Sequence, residues 1–443
     1  MRLEEKLEQL RRVAKPATRE AGLQRQLEYL RRLEPPPAKL PSQRVPCSIE
    51  NYVEGRVETH ALGEFFIATQ SLPFGRPYGK YRIGDLSTTP LTQLGLFLEG
   101  LRLPDPSKLL YLDTETTGLA GGTGTCAFLI GVGAVEGSQF VVRQYFLRDY
   151  PEEKAILAAL AQRLEGYEGL VTFNGKTFDV PLLETRYALS RMNSPLGRLA
   201  HLDLLHPARR LWKLRLESCK LTHLEEHILG IRRQGDIPGS EIPAIYFDYL
   251  RTGDAQGLQP VFFHNAMDIV TLAVLTLEAA NVMDPSRFEP GDGLMADPLD
   301  LFSLSRIFDR AGDSAKSVTA CRRAISAGLP EPLEPRALWH LALQHKRRGE
   351  HELAIEIWQE LTRRGTNYSV ESFEQLAIHY EHRARDAQAA MEFTEAAVEK
   401  IQKSQADGQQ QTLGGQIDHL RRLAHRLRRL NGKVRRPEIT RQE

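Results

Sequence analysis

The feature that most constrains this chain is the run Lys108-Leu109-Leu110-Tyr111-Leu112, which passes without a break into Asp113-Thr114-Glu115-Thr116-Thr117-Gly118. A short apolar run of this kind predicts a buried strand. At its end stand two carboxylates, one residue apart. Side chains at i and i+2 of a strand point to one face, so Asp113 and Glu115 project together. Two anions held that close repel one another unless a cation lies between them. Hard divalent ions such as Mg²⁺ or Mn²⁺ suit oxygen ligands. The strand end therefore predicts a metal-dependent catalytic site.

Around it, residues 107–283 alternate strand-like and helix-like runs. Phe128–Val135 and Phe140–Leu147 read as two strands joined by a turn at Glu136-Gly137-Ser138. Residues 152–165 read as a helix with Ile156, Leu157, Leu160 and Leu164 on one stripe. Gly169–Phe173 is another short buried strand. Strands, helix, strand and helices in that order predict an α/β domain with a mixed sheet.

Two further motifs bear on the strand end. In Thr172-Phe173-Asn174-Gly175-Lys176-Thr177-Phe178-Asp179, the Asn-Gly pair marks a turn. The apolar residues that follow begin a helix, so Asp179 stands at the mouth of an α/β site. In Phe263-His264-Asn265-Ala266-Met267-Asp268, followed by Ile269, Leu272, Ala273 and Thr276, the spacing is helical. His264 and Asp268 lie four apart and share one helix face.

In order along the chain, these motifs resemble those of the DnaQ-like, or DEDD, 3′–5′ exonucleases of the ribonuclease H-like superfamily. Asp113 and Glu115 match the first motif, Asp179 the second and Asp268 the third, and the surroundings of Asn174 and Phe178 match as well. The resemblance implies a ribonuclease H-like fold, a mixed sheet flanked by helices, that removes nucleotides from a 3′ end. It implies that Asp113, Glu115, Asp179 and Asp268 hold two divalent metal ions, Mg²⁺ or Mn²⁺, about 3.5–4 Å apart. One would activate a water and the other would stabilise the leaving 3′ oxygen. Thr116, Thr117, Gly118, Asn174 and Phe178 are the expected substrate contacts. His264 is the expected base, since imidazole titrates near neutrality. In the histidine branch of the family the base lies five residues before the last Asp, and in the tyrosine branch a Tyr lies four before. This chain has a histidine at the tyrosine spacing.

Gly118-Leu119-Ala120-Gly121-Gly122-Thr123-Gly124-Thr125 is glycine-rich but precedes no Gly-Lys-Ser/Thr, so it is not a P-loop. It reads either as backbone that can approach the terminal nucleotide or as a plain turn. Past Asp284-Pro285 the pattern becomes all-helical. A turn, small residues and an aromatic or cysteine recur from Gly312 to Cys321, Gly349 to Trp358 and Arg385 to Phe393, at spacings of 37 and 35 residues. That is close to the period of tetratricopeptide repeats, with a plain helical bundle as the alternative. Loop and architecture together resemble the YprB-like subfamily, also called mitomycin repair factor exonucleases. That likeness implies DNA, more than RNA, as substrate in a repair pathway. It also implies a helicase or other repair protein as partner through the helical repeats.

The expected organisation is a polar helical extension and proline-rich linker (1–45), a short β-rich segment of unassigned role (46–106), the exonuclease domain (107–285), helical repeats (295–400), and a basic helix and tail (401–443). Arg209-Arg210-Leu211-Trp212-Lys213 reads equally as a strand-tracking stretch and as an amphipathic helix with Trp212 packed inward. His201 and Asp203 read either as a further polar cluster near the site or as an exposed polar face. In the tail, Leu420, Leu423, Leu427 and Leu430 form a stripe that would cap the helical array.

The formal net charge of +1 argues neither for nor against a polyanionic partner, which must be recognised by local patches. Four scattered cysteines with no CxxC pair point away from a disulfide framework and toward a reducing cytoplasm. The first residues lack the apolar core of a signal peptide, and no run of about 18 apolar residues is apparent to span a membrane. Two rival readings remain at this level: an exoribonuclease, and a non-catalytic scaffold that binds nucleic-acid ends. A scaffold would need none of the four carboxylates.

Overall fold

The computed structural model describes residues 47–98, 102–118, 124–284, 297–406 and 413–434. The expected N-terminal helices and linker, most of the glycine-rich loop and the extreme tail lie outside them. Nine strands occur among the described residues: β1 (Gly55–His60), β2 (Gly63–Pro73), β3 (Pro77–Tyr78), β4 (Tyr81–Arg82), β5 (Leu109–Thr116), β6 (Ala127–Glu136), β7 (Gln139–Phe146), β8 (Gly169–Thr172) and β9 (Ala200–Asp203). Seven form one mixed sheet in the order β1-β2-β7-β6-β5-β8-β9. β5 lies inside the sheet, antiparallel to β6 and parallel to β8.

The segment 46–106 is therefore not separate from the domain that follows it. β2 pairs along its length with β7, Phe66 opposite Phe146 and Leu72 opposite Phe140, and β1 forms the sheet edge. The sequence shows a short apolar run in β2, Phe65 to Ala68, but not its partner, which lies more than sixty residues away. Non-local pairing leaves no local signal.

β5 shows how the sheet divides the core. Leu109 and Tyr111 belong to the apolar cluster on one face, and Leu110 and Leu112 to the cluster on the other. Helices α1 (Glu153–Leu164) and α2 (Asp179–Leu189) contribute Ile156, Leu160 and Leu183 to the second cluster. Helix α3 (Leu205–Trp212) supplies the first cluster with Ala208, Leu211 and Trp212. The short α4 (Leu221–Leu224) runs directly into a π-helical turn at Glu225–Leu229. Helix α5 (Ile242–Thr252) stacks Tyr246 flat on Phe128.

The long α6 (Gln259–Val282) adds Ile269, Leu272, Val274 and Leu275 to the first cluster. By length and composition the stretch Gln256–Val282 could cross a bilayer, which corrects the expectation of no such run, but 67% of its apolar window is buried inside the protein. A helix that is apolar all round is here the core helix of the fold. Its close approach to the sheet depends on Gly131 of β6, because a Cβ there would lie 2.2 Å from Asn265 Oδ1.

The remaining helices form hairpins: α7 (Pro298–Arg310) with α8 (Ser314–Ser326), α9 (Glu334–Arg347) with α10 (His351–Arg363), and α11 (Ser369–His382) with α12 (Ala387–Ala406). Helix α13 (Leu413–Val434) closes the array. Each hairpin turns through a residue with positive φ: Gly312 (78°), Gly349 (78°) and Arg385 (55°). Asp313 caps α8 by accepting from the Lys316 amide at 3.0 Å, and Asp386 accepts from Ala389 at 2.9 Å. These are the repeat positions visible in the sequence.

The array does not hang free of the sheet domain. Leu301, Phe302 and Phe308 of α7, Ala320 and Cys321 of α8, and Ala337 and Leu341 of α9 share one continuous core with Trp212 and with α6. Arg215 joins the two parts by ion pairs to Asp300 (3.1 Å) and Asp297 (3.6 Å). At the far end, Leu423 and Leu430 of α13 are buried. Arg426, Arg429 and Lys433 converge there on Glu381 of α11 at 2.9, 2.6 and 3.0 Å. All four cysteines are unpaired.

Candidate active site

Three elements bring the four predicted carboxylates to the end of β5. Asp113 and Glu115 come from the last residues of β5, where the register with β6 shifts between Glu115 and Thr116. Such an irregularity re-aims side chains at a strand end. Asp179 opens α2, and Thr114, pointing to the opposite face from Asp113, donates to its Oδ1 at 2.6 Å. Asp268 and His264 lie on one face of α6, with His264 Nε2 3.6 Å from Asp268 Oδ2.

The four carboxylates line two adjoining hollows that share Asp113, Phe173 and Asn174. The smaller, about 260 Å³, is walled by Glu115, Thr116, Gly118, Phe178, Asp179 and Pro243. The larger, about 640 Å³, includes Asp268 together with Arg209, Lys213 and Lys220. Phe178 is 54% exposed, an unusual position for a phenylalanine beside a polar site.

Buried amides fix Asp113. Gln144, on β7, donates to the Phe262 carbonyl (2.8 Å) and to Asn265 Oδ1 (3.0 Å). Asn265 in turn donates its Nδ2 to Asp113 Oδ2 at 2.9 Å. Both amides are buried. A buried polar chain in which every member is satisfied holds its geometry rigidly.

A second network lies behind Asp268 and His264. Arg233 pairs with Asp268, with Asp236 (3.1 Å) and in bidentate fashion with Glu225 of the π turn (2.8 and 2.5 Å). Asp236 also meets His264 Nδ1 at 2.7 Å. That contact fixes the imidazole orientation and leaves Nε2 facing Asp268. Thr271 donates to Glu225 and lies 2.7 Å from the Tyr78 hydroxyl, so the network reaches the β3–β4 hairpin. Arg233 and Glu225 are 5% and 2% exposed, so this is a desolvated array rather than a surface pair.

The electrostatics test whether this donor set suits a cation. Burial, and then repulsion from Asp268, Asp179 and Glu115, push the Asp113 carboxyl well above its ordinary value. Burial pushes Glu115 up to about 7, with His264 opposing the shift and Asp268, Asp179 and Asp236 adding to it. Burial pushes Asp179 up to about 6 against the Thr114 hydrogen bond. Among the described residues, no three His, Cys, Asp or Glu side chains close as one compact ligand set. The carboxylates instead face shared space, and their mutual repulsion is of the kind a divalent ion relieves. The donor chemistry fits hard metal ions.

The remaining sequence expectations divide. Thr116, Gly118, Asn174 and Phe178 line the smaller hollow. Thr117 does not: its hydroxyl accepts from the Cys126 amide (3.0 Å) and its own amide donates to the Cys126 carbonyl (3.0 Å), which closes the strand end. His201 and Asp203 are not an exposed face. Asp203, 3% exposed, accepts from the amides of Asn174 (2.7 Å), Lys176 (3.1 Å) and Leu205 (3.1 Å) and so shapes the turn before Asp179. His201 bonds Thr172 at 2.8 Å, and burial holds its pKa down to about 4. Trp212 is fully buried and unavailable for stacking on a base. Gln144, Glu225, Arg233, Asp236 and Asn265 were not singled out from sequence. Only Asn265, beside His264 within a motif, had any signal there.

A family model described as RNase_H superfamily matches residues 110–279, the span that carries every one of these groups. Over 294 residues the chain is 30% identical to the uncharacterized protein YprB of Bacillus subtilis, covering 66% of this chain and 69% of that protein. The chain belongs to the YprB family, within the RNase_H superfamily. That superfamily is one of nucleic-acid-processing enzymes that generally use divalent metals. A family B DNA polymerase from Pyrobaculum calidifontis aligns with 56% of this YprB-family chain at 16% identity and a TM-score of 0.32. The chain spans 30% of that polymerase.

Proposed function

We propose that this chain is a DnaQ-like, DEDD-type exonuclease that hydrolyses phosphodiester bonds from the 3′ end, acting on DNA in repair. The observation that carries the reading is the convergence of Asp113, Glu115, Asp179 and Asp268, from separate elements, on connected hollows beside a histidine. Two divalent ions held by the four carboxylates would supply an acidified water and neutralise charge at the phosphate.

The chain's own groups do the rest. His264 takes the proton of the attacking water at Nε2, while Asp236 holds Nδ1 and stabilises the imidazolium that forms. Arg233 fixes both Asp236 and Asp268, so base and ligand keep one relative position. Asn265 and Gln144 hold Asp113, and Thr114 holds Asp179. Phe178 offers an exposed face on which the terminal base stacks. The helical hairpins, at a tetratricopeptide-like period, are the surface for a protein partner such as a helicase.

The test is incubation of 5′-labelled and 3′-labelled single-stranded DNA, with matched RNA, in Mn²⁺, Mg²⁺ or EDTA. Shortening of the 5′-labelled strand from its 3′ end, in metal only and faster on DNA, is the expected result. Endonucleolytic fragments, or equal degradation in EDTA, would refute the reading.

A further inference from the structure

We propose that Arg209, Lys213 and Lys220 form a subsite for the sugar–phosphate backbone of a single nucleic-acid strand, on the 5′ side of the bond being cut. The inference rests on the exonuclease reading and adds a strand path to it. Arg209 and Lys213 lie four residues apart on and just after α3, so they share a face. The opposite face is Ala208, Leu211 and Trp212, all completely buried. The helix cannot roll, so the two cations are committed to the cleft side.

Both are exposed, as is Lys220, and all three line the 640 Å³ hollow whose other wall carries Asp113 and Asp268. Apart from those catalytic carboxylates, the one acid among the described residues of that lining is Glu217. Its backbone carbonyl accepts from Lys213 Nζ at 2.5 Å, which steadies the ammonium at the rim. Cations placed beside, rather than among, the carboxylates match a polyanion that continues past the reacting phosphate.

The smaller hollow, with Phe178, Leu182 and Pro243, holds no Lys or Arg among the described residues of its lining and takes the base and sugar of the nucleotide being removed. The two hollows meet at Asp113. Arg210, next along α3, points elsewhere, with its guanidinium 5.5 Å from the Phe97 ring centre. It is an internal control on the same helix.

The test measures Mn²⁺-dependent hydrolysis of an oligothymidylate by the full chain over a range of NaCl concentrations. It compares the wild type with Arg209→Gln/Lys213→Gln and with Arg210→Gln. The double variant should show a raised KM and a salt slope of log(kcat/KM) shallower by about 1.4, the loss of two single-strand phosphate contacts. Arg210→Gln should follow the wild type. If the wild type hydrolyses the strand but the double variant keeps its KM and slope, or Arg210→Gln shifts them as much, the subsite is wrong and the exonuclease reading stands. If the wild type hydrolyses nothing, both fall together.

Discussion

The sheet domain and the helical array are built by opposite logics. In the sheet domain the decisive contacts join residues far apart in sequence: Asp113 to Asn265, Thr114 to Asp179, Arg233 to Asp268. In the array they join neighbours, hairpin by hairpin, through turns at Gly312, Gly349 and Arg385. Non-local construction lets carboxylates meet that could never be adjacent on one helix, at the cost of buried polar networks that must be completely satisfied. Local construction carries no such site. The two are nevertheless fused, because α3 buries Trp212 against the first helices of the array and turns its basic face to the cleft.

The sharpest way to separate the two regions is at the carboxylates. Asp113→Ala and Asp268→Ala should each cut hydrolysis by at least about 10²–10³-fold, with unchanged far-ultraviolet circular dichroism. Residual activity near wild type in either would detach the site from the chemistry. The next largest effect should come from removing the whole array. Deletion of residues 297–434 should abolish cooperative melting of the sheet domain, because it strips the partners of Trp212 and of α6. Deletion of 387–434 alone should leave that melting intact. A stable, active protein lacking the whole array would show that the shared core is dispensable.

Within the site, His264→Ala should slow turnover by about 10²–10⁴-fold, the usual range for a lost general base, while oligonucleotide binding persists. Asp236→Asn should slow it less, since the imidazole loses orientation but not its presence. Equal and complete loss in both would mean that the pair is needed for folding instead.

A smaller effect is expected in the metal-free protein. Glu115 and Asp179 have folded-state values raised to about 7 and about 6. The stability they contribute is fully present below their unfolded values, near 4, and is lost as pH rises through the folded ones. Melting temperature in EDTA should therefore fall from about pH 5 to pH 8, and Mn²⁺ should flatten the dependence. A melting temperature in EDTA that rises over that interval would contradict the assigned burial.

Much of this was legible because certain side chains have only one physical use in their setting. Asp113 and Glu115 stand out by their spacing at the end of an apolar strand, whereas Asp179 and Asp268 stand out only because the motifs occur together in order along the chain. Gly312 and Gly349 mark turns by their backbone freedom. Other residues were silent for the same reason inverted. Arg233 and Glu225 look like any charged surface pair until α6 covers them, and Asp203 resembles a solvated acid until three amides point at it. β2 has the apolar run of a buried strand, Phe65 to Ala68, but a partner chosen at long range. Trp212 was ambiguous because an amphipathic helix and a nucleic-acid contact share one pattern; burial decided its ring for the core, while Arg209 and Lys213 went to the cleft.

The most direct test of the central claim is Mn²⁺ binding to the full chain by isothermal titration, with electron paramagnetic resonance to count bound ions, in the wild type and in Asp113→Asn. The account predicts two bound ions in the wild type. It predicts weakened or lost binding in the variant, whose metal-free form melts no lower because a repelling anion has been removed. No Mn²⁺ binding by the wild type, or equal binding by both, would contradict it.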